Sequence, residues 1–264
     1  MTESDIEARE QVLRAAIEAA GSSVRAFLAE PARLAVASKG PQDFVSAADT
    51  AVEELLKERL LGAFPHDAFL GEETGGTTGD PLWVVDPIDG TANFVRGLPQ
   101  FCVSVALLTG GRMTLGALLD PVRNELYVAR AGRGATRNGR PITAAPTASM
   151  HDATVEIGWS TRVANTRYLE LLTRVLSAGA AVRRGGSGAL GLAYVADGRS
   201  DAYAELHINA WDCLAGLLIV REAGGRVSPF LSQGGLARGA PILASAPGLA
   251  SAMSELTGIP LEPS

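Results

Sequence analysis

The chain has no excess of positive charge and very few cysteines. Its 23 Lys and Arg residues are outnumbered by 29 Asp and Glu residues, so the formal net charge is −6. A nucleic-acid-binding scaffold needs a basic face, and this balance therefore argues against nucleic acid as a partner. The two cysteines, Cys102 and Cys213, both lie in apolar runs. We interpret them as small buried hydrophobic residues rather than as a disulfide framework or metal ligands.

Long apolar runs and a targeting segment are also missing. No stretch approaches the ~18 consecutive apolar residues that a membrane-spanning helix needs. Residues 1–10 are acidic and polar, unlike the positive and then apolar pattern of a signal peptide. We therefore expect a cytoplasmic protein with no membrane partner. The three histidines, His66, His151 and His207, lie outside the acidic motifs described below, and we expect surface or structural roles for them.

The chain has enough apolar residues, 47% of its 264 positions, for a substantial core. We predict one domain over residues 1–264 with approximate halves 1–145 and 146–264. The helical spacing of apolar residues over 4–27 predicts a first helix, and a second is predicted to begin near Asp49, with Asp49 as its N-cap. The turn-rich segment 38–43 between them predicts a loop. Strand-like segments over 101–108, 113–119 and 125–129 predict an antiparallel meander, and strands and helices alternate after residue 145. The fold class is mixed α/β (α+β), with antiparallel or mixed sheets.

The motif Asp86-Pro87-Ile88-Asp89-Gly90-Thr91 follows the buried-strand pattern of residues 82–85. Mg²⁺ prefers several oxygen ligands, and one carboxylate can bridge two such ions in a phosphoryl transfer. Gly90-Thr91 opens a short helical piece whose N–H groups could bind phosphate, and the Thr91 hydroxyl could hold or activate a water. The alternative is an ordinary surface turn, because Asp, Pro and Gly favour turns by themselves.

Two further acidic positions can reach the same place. Glu72-Glu73 follows a predicted strand over 68–71, and either residue could join the site, although paired glutamates are more often solvated surface. Asp212 lies where a polar loop gives way to an apolar helix over 211–223. Its structural alternative is an N-cap or first-turn acid, a role that is compatible with metal ligation.

Together with Gly71 and the segment 222–225, these motifs resemble the inositol monophosphatase family, over residues 39 to 244. The resemblance implies Mg²⁺-dependent, lithium-sensitive phosphatases with a layered α/β/α/β/α sandwich of the sugar phosphatase type, commonly homodimeric. It implies that Glu72, rather than Glu73, ligates a first Mg²⁺ with Asp86 and the carbonyl of Ile88. Asp86 would bridge to a second ion, which is also held by two further acids, Asp89 and Asp212. A third, weaker ion is expected near Glu72.

The resemblance also implies the roles of the remaining site residues. Thr91, paired with Asp49, would orient and deprotonate the attacking water, so that the catalytic residues are Asp49, Thr91 and Glu72. The N–H groups of Gly90 and Thr91 would bind phosphate. The residues that would contact the substrate are Asp89, Ser187, Gly188, Glu205 and Asp212. The glycine-rich turn around Ser187 has an even alternative as a flexible turn before a helix.

The expected reaction is hydrolysis of a small polyol phosphate ester, with inositol monophosphate first, by a water activated by two to three Mg²⁺ ions. Relatives with the same metal site hydrolyse histidinol phosphate, fructose 1,6-bisphosphate or 3′-phosphoadenosine phosphates, and these remain alternatives. A further alternative from another class is a catalytically idle relative with a regulatory role.

Overall fold

The computed structural model describes residues 1–30, 36–40 and 43–263. In this part of the chain the helices are α1 (Glu3–Ala29), α2 (Ala47–Ala63), α3 (Thr91–Phe94), α4 (Asn165–Ser177), α5 (Gly188–Ala196), α6 (Ala210–Glu222), α7 (Gly235–Arg238) and α8 (Ala250–Thr257). The strands are β1 (Val36–Gly40), β2 (Asp43–Ser46), β3 (Ala68–Gly71), β4 (Gly75–Gly76), β5 (Leu82–Asp89), β6 (Cys102–Thr109), β7 (Arg112–Asp120), β8 (Glu125–Arg130), β9 (Ala135–Arg137), β10 (Arg140–Pro141), β11 (Thr154–Ile157), β12 (Ala181–Arg183), β13 (Ala202–Ile208), β14 (Arg226–Val227) and β15 (Ala240–Ser245).

The strands form one large sheet, one smaller sheet and a two-stranded hairpin. The large sheet has eight strands in the order β10-β9-β8-β7-β6-β5-β3-β4, and the smaller has five in the order β12-β11-β13-β15-β14. Strands β6, β7 and β8 pair antiparallel in sequence order, which confirms the predicted meander. Strand β3 runs parallel to β5, so that their carboxyl ends meet at one edge. In the smaller sheet β11 is parallel to β12 and β13, whereas β13 is antiparallel to β15.

The helices and sheets alternate in five layers, as predicted. Helices α1 and α2 cover one face of the eight-stranded sheet. Helices α5 and α6 fill the space between its other face and the five-stranded sheet, and α4 and α8 cover the outer face of that second sheet. Helix α6 is apolar on nearly all sides because both of its faces are buried.

Two glycines permit the close packing of the middle layer. A Cβ at Gly116 of β7 would lie 2.8 Å from the carbonyl oxygen of Ala215 in α6, and one at Gly216 would lie 2.6 Å from the Cβ of Leu192 in α5. A larger side chain at either position would force the backbones apart, so the sheet, α6 and α5 pack at a distance that only glycine allows.

Two local predictions are wrong. Helix α2 begins earlier than predicted, because Ser46 is its N-cap. Asp49 is the third helical residue, and its carboxylate accepts a hydrogen bond from the Ser46 amide in a capping box. Part of the predicted loop over 38–43 is strand: residues 38–40 belong to β1 and residue 43 to β2. Backbone pairing in a hairpin requires no apolar side chains, and therefore the polar sequence did not reveal it. Residues 41–42 lie outside the described residues. Among the described helices, none has both the length and the hydropathy that a bilayer crossing requires.

Candidate active site

The predicted site residues converge on one cleft at the edge where β3 and β5 end and α6 begins. This cleft has a volume of about 460 Å³, and its lining includes Glu72, Asp86, Ile88, Asp89, Gly90, Thr91, Glu205 and Asp212. Ser187 and Gly188 line a smaller adjoining cavity of about 160 Å³, to which Asp89, Glu205 and Asp212 also contribute. Asp49 is fully buried and is linked to the cleft through Thr91. A larger cavity of about 790 Å³, near the start of α1, contains none of these residues.

The irregular end of strand β5 fixes the orientation of Asp86. Its Oδ1 accepts a hydrogen bond from the amide of Ile88 at 2.9 Å. The pairing of β5 with β6 shifts register between Asp86 and Asp89, where Pro87 provides no N–H for the ladder. Gly90 has φ +97°, and a Cβ there would lie 2.9 Å from a backbone carbonyl oxygen of the neighbouring loop. The turn therefore requires glycine at this position.

Three carboxylates from separate segments form a compact acidic group. Glu72, Asp86 and Asp212 each offer one oxygen, and these oxygens lie within 4.8 Å of one another. Burial raises the pKa of Asp86 well above its ordinary value, and the charges of Glu72, Asp89 and Asp212 raise it further. Burial also raises the pKa of Asp212, although its contacts with Asp86 and with the Asn209 amide act in the opposite direction. The three side chains offer only carboxylate oxygens as ligand atoms, and their negative charges repel one another when ionised. The group therefore fits a hard divalent cation such as Mg²⁺.

Glu72, and not Glu73, belongs to this acidic group. Glu53 of α2, which was not predicted as part of the site, holds the backbone that follows Glu72. The Glu53 carboxylate is 1% exposed and accepts hydrogen bonds from the amides of Glu73 and Thr74, both at 2.8 Å. A Cβ at Gly71 would lie only 2.4 Å from the Glu53 carboxyl carbon, so glycine there makes room for the acid. A charged residue next to the buried Val52, on the apolar side of α2, was the available signal.

Thr91 and Asp49 form a hydrogen-bonded pair at one side of the cleft. The Thr91 hydroxyl lies 3.0 Å from Asp49 Oδ1 and 3.0 Å from the Ile88 carbonyl oxygen, and it has one proton to donate to either. The other oxygen of Asp49 accepts hydrogen bonds from the Ser46 amide and hydroxyl, at 2.8 and 2.6 Å. Burial raises the pKa of Asp49, although the contacts with Ser46 and Thr91 act in the opposite direction.

Asp212 is a first-turn acid of α6, as its structural interpretation predicts, and its side chain also lines the cleft. Its Oδ2 accepts a hydrogen bond from the amide of the N-cap residue Asn209 at 3.1 Å, in a second capping box. The Ser104 hydroxyl donates to the carbonyl of Trp211 at 2.9 Å. This contact ties the start of α6 to β6 of the large sheet.

Asp89 joins the acidic group to α5. Its Oδ2 accepts hydrogen bonds from the Ser187 hydroxyl at 2.5 Å and from the Ala189 amide at 2.7 Å. Burial, followed by the charge of Asp212, raises the pKa of Asp89 to about 7. Ser187 is the N-cap of α5 and accepts a hydrogen bond from the Leu190 amide. These side-chain contacts therefore fix the turn before α5, even though the turn is rich in glycine.

The far side of the cleft holds Glu205 and several residues that the sequence analysis did not select. Burial raises the pKa of Glu205 to about 8, although the Tyr203 hydroxyl, which donates to its Oε2 at 2.6 Å, acts against this. Residues of the cleft lining that were not predicted include Trp159, Arg162 and Arg184. His207 also lines the cleft, where only a surface or structural role was expected, while its Nε2 lies 3.0 Å from the carbonyl oxygen of Arg238.

Comparisons with known proteins agree with this geometry. The sequence model of the inositol monophosphatase family matches residues 5–257. The inositol-1-monophosphatase of Rhizobium meliloti (strain 1021) is 41% identical over 226 residues, which cover 83% of this chain and 85% of that protein. The Nus factor SuhB of Xylella fastidiosa is 40% identical over 219 residues, covering 81% of this chain and 79% of that protein.

Solved structures show the same similarity. The extragenic suppressor protein suhB from Bartonella henselae superimposes with a TM-score of 0.88 at 33% identity, covering 94% of this chain and 97% of that one. The inositol monophosphatase from Anabaena (Nostoc) sp. PCC 7120 superimposes with a TM-score of 0.79 at 31% identity, covering 95% of both chains.

Proposed function

The chain belongs to the inositol monophosphatase family, and from this premise we propose that it is a Mg²⁺-dependent phosphomonoesterase whose substrate is a small polyol phosphate, inositol monophosphate first among them. The observation that carries the proposal is the convergence of Glu72, Asp86 and Asp212 on one cleft, beside the hydrogen-bonded pair of Thr91 and Asp49. A buried group of like charges is costly unless a cation compensates it, and such an arrangement is characteristic of functional sites.

The carboxylates of the cleft would hold the ions. We assign Glu72, Asp86 and the carbonyl of Ile88 to a first Mg²⁺, and Asp86, Asp89 and Asp212 to a second, with a third and weaker ion near Glu72. Bound Mg²⁺ would offset the charge on the phosphate oxygens and lower the pKa of a coordinated water. The oxygen-only donors of this set support the assignment.

Thr91 and Asp49 would act on the attacking water. The Thr91 hydroxyl orients the water and accepts its proton, while its own proton passes to Asp49 Oδ1, which lies 3.0 Å away. Burial raises the pKa of Asp49, and a raised pKa makes a carboxylate a better proton acceptor. Glu72, at the edge of the acidic group, is the third catalytic residue in this proposal.

The phosphate and the alcohol portion of the ester would lie on opposite sides of the acidic group. The amides of Gly90 and Thr91 bind the phosphate at the start of α3. The alcohol portion faces the adjoining cavity, and the substrate-binding residues in this proposal are Asp89, Ser187, Gly188, Glu205 and Asp212.

The test is phosphate release, with Mg²⁺ and with excess chelator, from inositol 1-phosphate, histidinol phosphate, fructose 1,6-bisphosphate and 3′-phosphoadenosine 5′-phosphate. We expect Mg²⁺-dependent release that is fastest from inositol 1-phosphate and that is lost in Asp49→Asn. The exposed Glu54→Gln variant serves as the matched control for a change of charge on the same helix. Failure of the wild-type protein to release phosphate from any ester, while calorimetry shows that Mg²⁺ binds, would refute the proposal and favour an idle regulatory relative.

We also propose the properties that accompany this activity in the family. These are inhibition by Li⁺, a homodimer, a cytoplasmic location, and action on a small ester without a nucleic acid or membrane partner. The whole chain would form one domain, in which residues 1–145 supply most of the metal and phosphate site and residues 146–264 supply Asp212 and the substrate side. Light scattering of the purified protein tests the dimer, and a Li⁺ titration of phosphate release tests the inhibition.

A further inference from the structure

Glu156 of β11 is a buried acid in the cavity that adjoins the cleft, and no role described above uses it. Its side chain is 2% exposed and lines this cavity of about 160 Å³. One oxygen, Oε1, accepts a hydrogen bond from the Gly185 amide at 2.8 Å. The other, Oε2, is buried and accepts no hydrogen bond from any residue that the structure describes. A buried acceptor without a donor is costly, and an unpaired group in a native structure therefore indicates a ligand or a function.

Glu205 lines the same cavity, and the Tyr203 hydroxyl donates a hydrogen bond to its Oε2 at 2.6 Å. Unlike Glu156, it has no fully buried oxygen that lacks a partner among the described residues. Arg184 also lines the cavity, with its guanidinium 5.6 Å from the centre of the Trp159 ring, so that the wall beside these acids is aromatic and cationic.

The cavity lies beside the proposed metal and phosphate site. Asp89, Glu205 and Asp212 line both the cavity and the cleft, so the cavity adjoins the proposed metal site. With the phosphate at the amides of Gly90 and Thr91, as proposed above, the alcohol portion of the ester would enter this cavity.

We infer that Glu156, beside the Glu205 already assigned to the substrate, recognises a hydrogen-bond donor, a hydroxyl or an ammonium group, on the alcohol portion of the substrate. This inference rests on the proposed phosphatase function and specifies its substrate class. An alcohol with donors at the right position completes the hydrogen bonding of Glu156 Oε2, whereas an alcohol without donors leaves this oxygen unpaired. The cavity therefore discriminates among phosphate esters that the metal site would treat alike.

Glu156 also has a structural contact that the test must separate from recognition. The Gly185 residue that donates to Glu156 accepts, through its carbonyl oxygen, a hydrogen bond from Asn93 Nδ2 of α3 at 2.9 Å. A substitution that disturbs Gly185 would reach the proposed phosphate turn and slow every ester equally. An ester whose alcohol has no donor reports on this structural effect alone.

The experiment compares Glu156→Gln with the wild-type protein on three esters in the presence of Mg²⁺. These are inositol 1-phosphate, which carries hydroxyls, histidinol phosphate, which carries an ammonium, and p-nitrophenyl phosphate, whose alcohol has no donor. The glutamine keeps a carbonyl oxygen for the Gly185 amide but faces the cavity with an N–H₂ donor. Glu170→Gln, an exposed acid on α4, is the control variant.

We expect Glu156→Gln to lose about tenfold or more in kcat/KM on the donor-bearing ester that the wild type prefers. Its kcat/KM on p-nitrophenyl phosphate stays at the wild-type value. A loss confined to inositol 1-phosphate identifies hydroxyl recognition, and one confined to histidinol phosphate identifies ammonium recognition. Glu170→Gln behaves as wild type on all three esters.

Other outcomes overturn the inference. If Glu156→Gln loses as much kcat/KM on p-nitrophenyl phosphate as on the donor-bearing esters, Glu156 has a structural role only. If its kcat/KM is unchanged on every ester, Glu156 does not contact the substrate. If Glu156→Gln fails to fold, Glu156→Asp, which withdraws the carboxylate by one methylene, is judged on the same ratio between esters. Absence of phosphate release by the wild type and by Glu170→Gln is a different result, because it refutes the proposed function itself and the inference with it.

Discussion

Replacing Glu53 by glutamine should weaken Mg²⁺ binding, although Glu53 is not among the proposed ligands. Its carboxylate accepts hydrogen bonds from two amides of the segment that follows Glu72. Glutamine keeps one acceptor and turns an N–H₂ group toward the second amide, so one charge-assisted bond is lost and a buried donor is left unpaired. That bond is worth about 1.5–3 kcal/mol, and outer contacts of this kind change metal affinity by about 10- to 100-fold. We expect both effects in Glu53→Gln.

Calorimetric Mg²⁺ titration and urea unfolding of the metal-free protein measure these two quantities separately. The neighbouring Glu54 is exposed, so Glu54→Gln applies the same chemical change without the buried contacts and should match the wild type in both. If Glu53→Gln lowers the free energy of unfolding but binds Mg²⁺ as the wild type does, Glu53 stabilises the fold without positioning Glu72. That result would refute the reasoning.

Four shorter predictions concern the acidic group and its neighbours. Asp86→Asn should abolish phosphate release while circular dichroism shows an intact fold, because it removes the proposed bridging charge; activity in the folded variant would refute the two-ion assignment. Glu72→Gln should weaken Mg²⁺ activation far more than Glu73→Gln, and the reverse order would show that the wrong glutamate was assigned. Thr91→Ala should lower kcat by about 100-fold or more with Mg²⁺ binding retained, as calorimetry can measure. In the metal-free protein the free energy of unfolding should fall as the pH rises from about 4 to about 7. The reason is that the pKa of Asp89 is 3.8 in the unfolded chain and about 7 in the folded one, so the folded state holds the proton over this range. Asp89→Asn should flatten this slope in urea titrations at different pH values, and an unchanged slope would contradict the raised pKa of Asp89.

The parts of the site that are local in sequence were predictable. The segment from Asp86 to Thr91 carries its acids, its turn and its helix start within six residues. Their proximity in the sequence was therefore enough to predict that they lie together. The meander was equally accessible, since consecutive strands and their turns are adjacent along the chain. The five-layer arrangement came from the resemblance to the family, because periodicity does not indicate which face of a sheet a helix covers.

The parts that depend on distant partners were not predictable from sequence. Glu53 accepts from amides 20 and 21 positions later, and Glu156 from an amide 29 positions later, so neither acid has a local pattern. Asp49 was placed at the N-cap because Asp favours that position, but Ser46 is the better-placed cap once β2 leads into the helix. The choice of Glu72 over Glu73 came from the resemblance, because two adjacent glutamates give no local signal of which side chain enters the site.

The two capping boxes, at Asp49 and at Asp212, have a consequence for how a cation would enter and leave. Each carboxylate is tied to the amide of its own N-cap residue, so the helix start defines its position before any ion arrives. Of these two acids, Asp212 is a proposed ligand and Asp49 is the partner of Thr91, so an arriving cation would meet both with their positions already set. In small zinc domains, by contrast, the free energy of metal binding is the free energy of folding. Here hydrogen bonds within the chain hold these two acids, so exchange of an ion at the proposed site would require no folding transition at these helix starts.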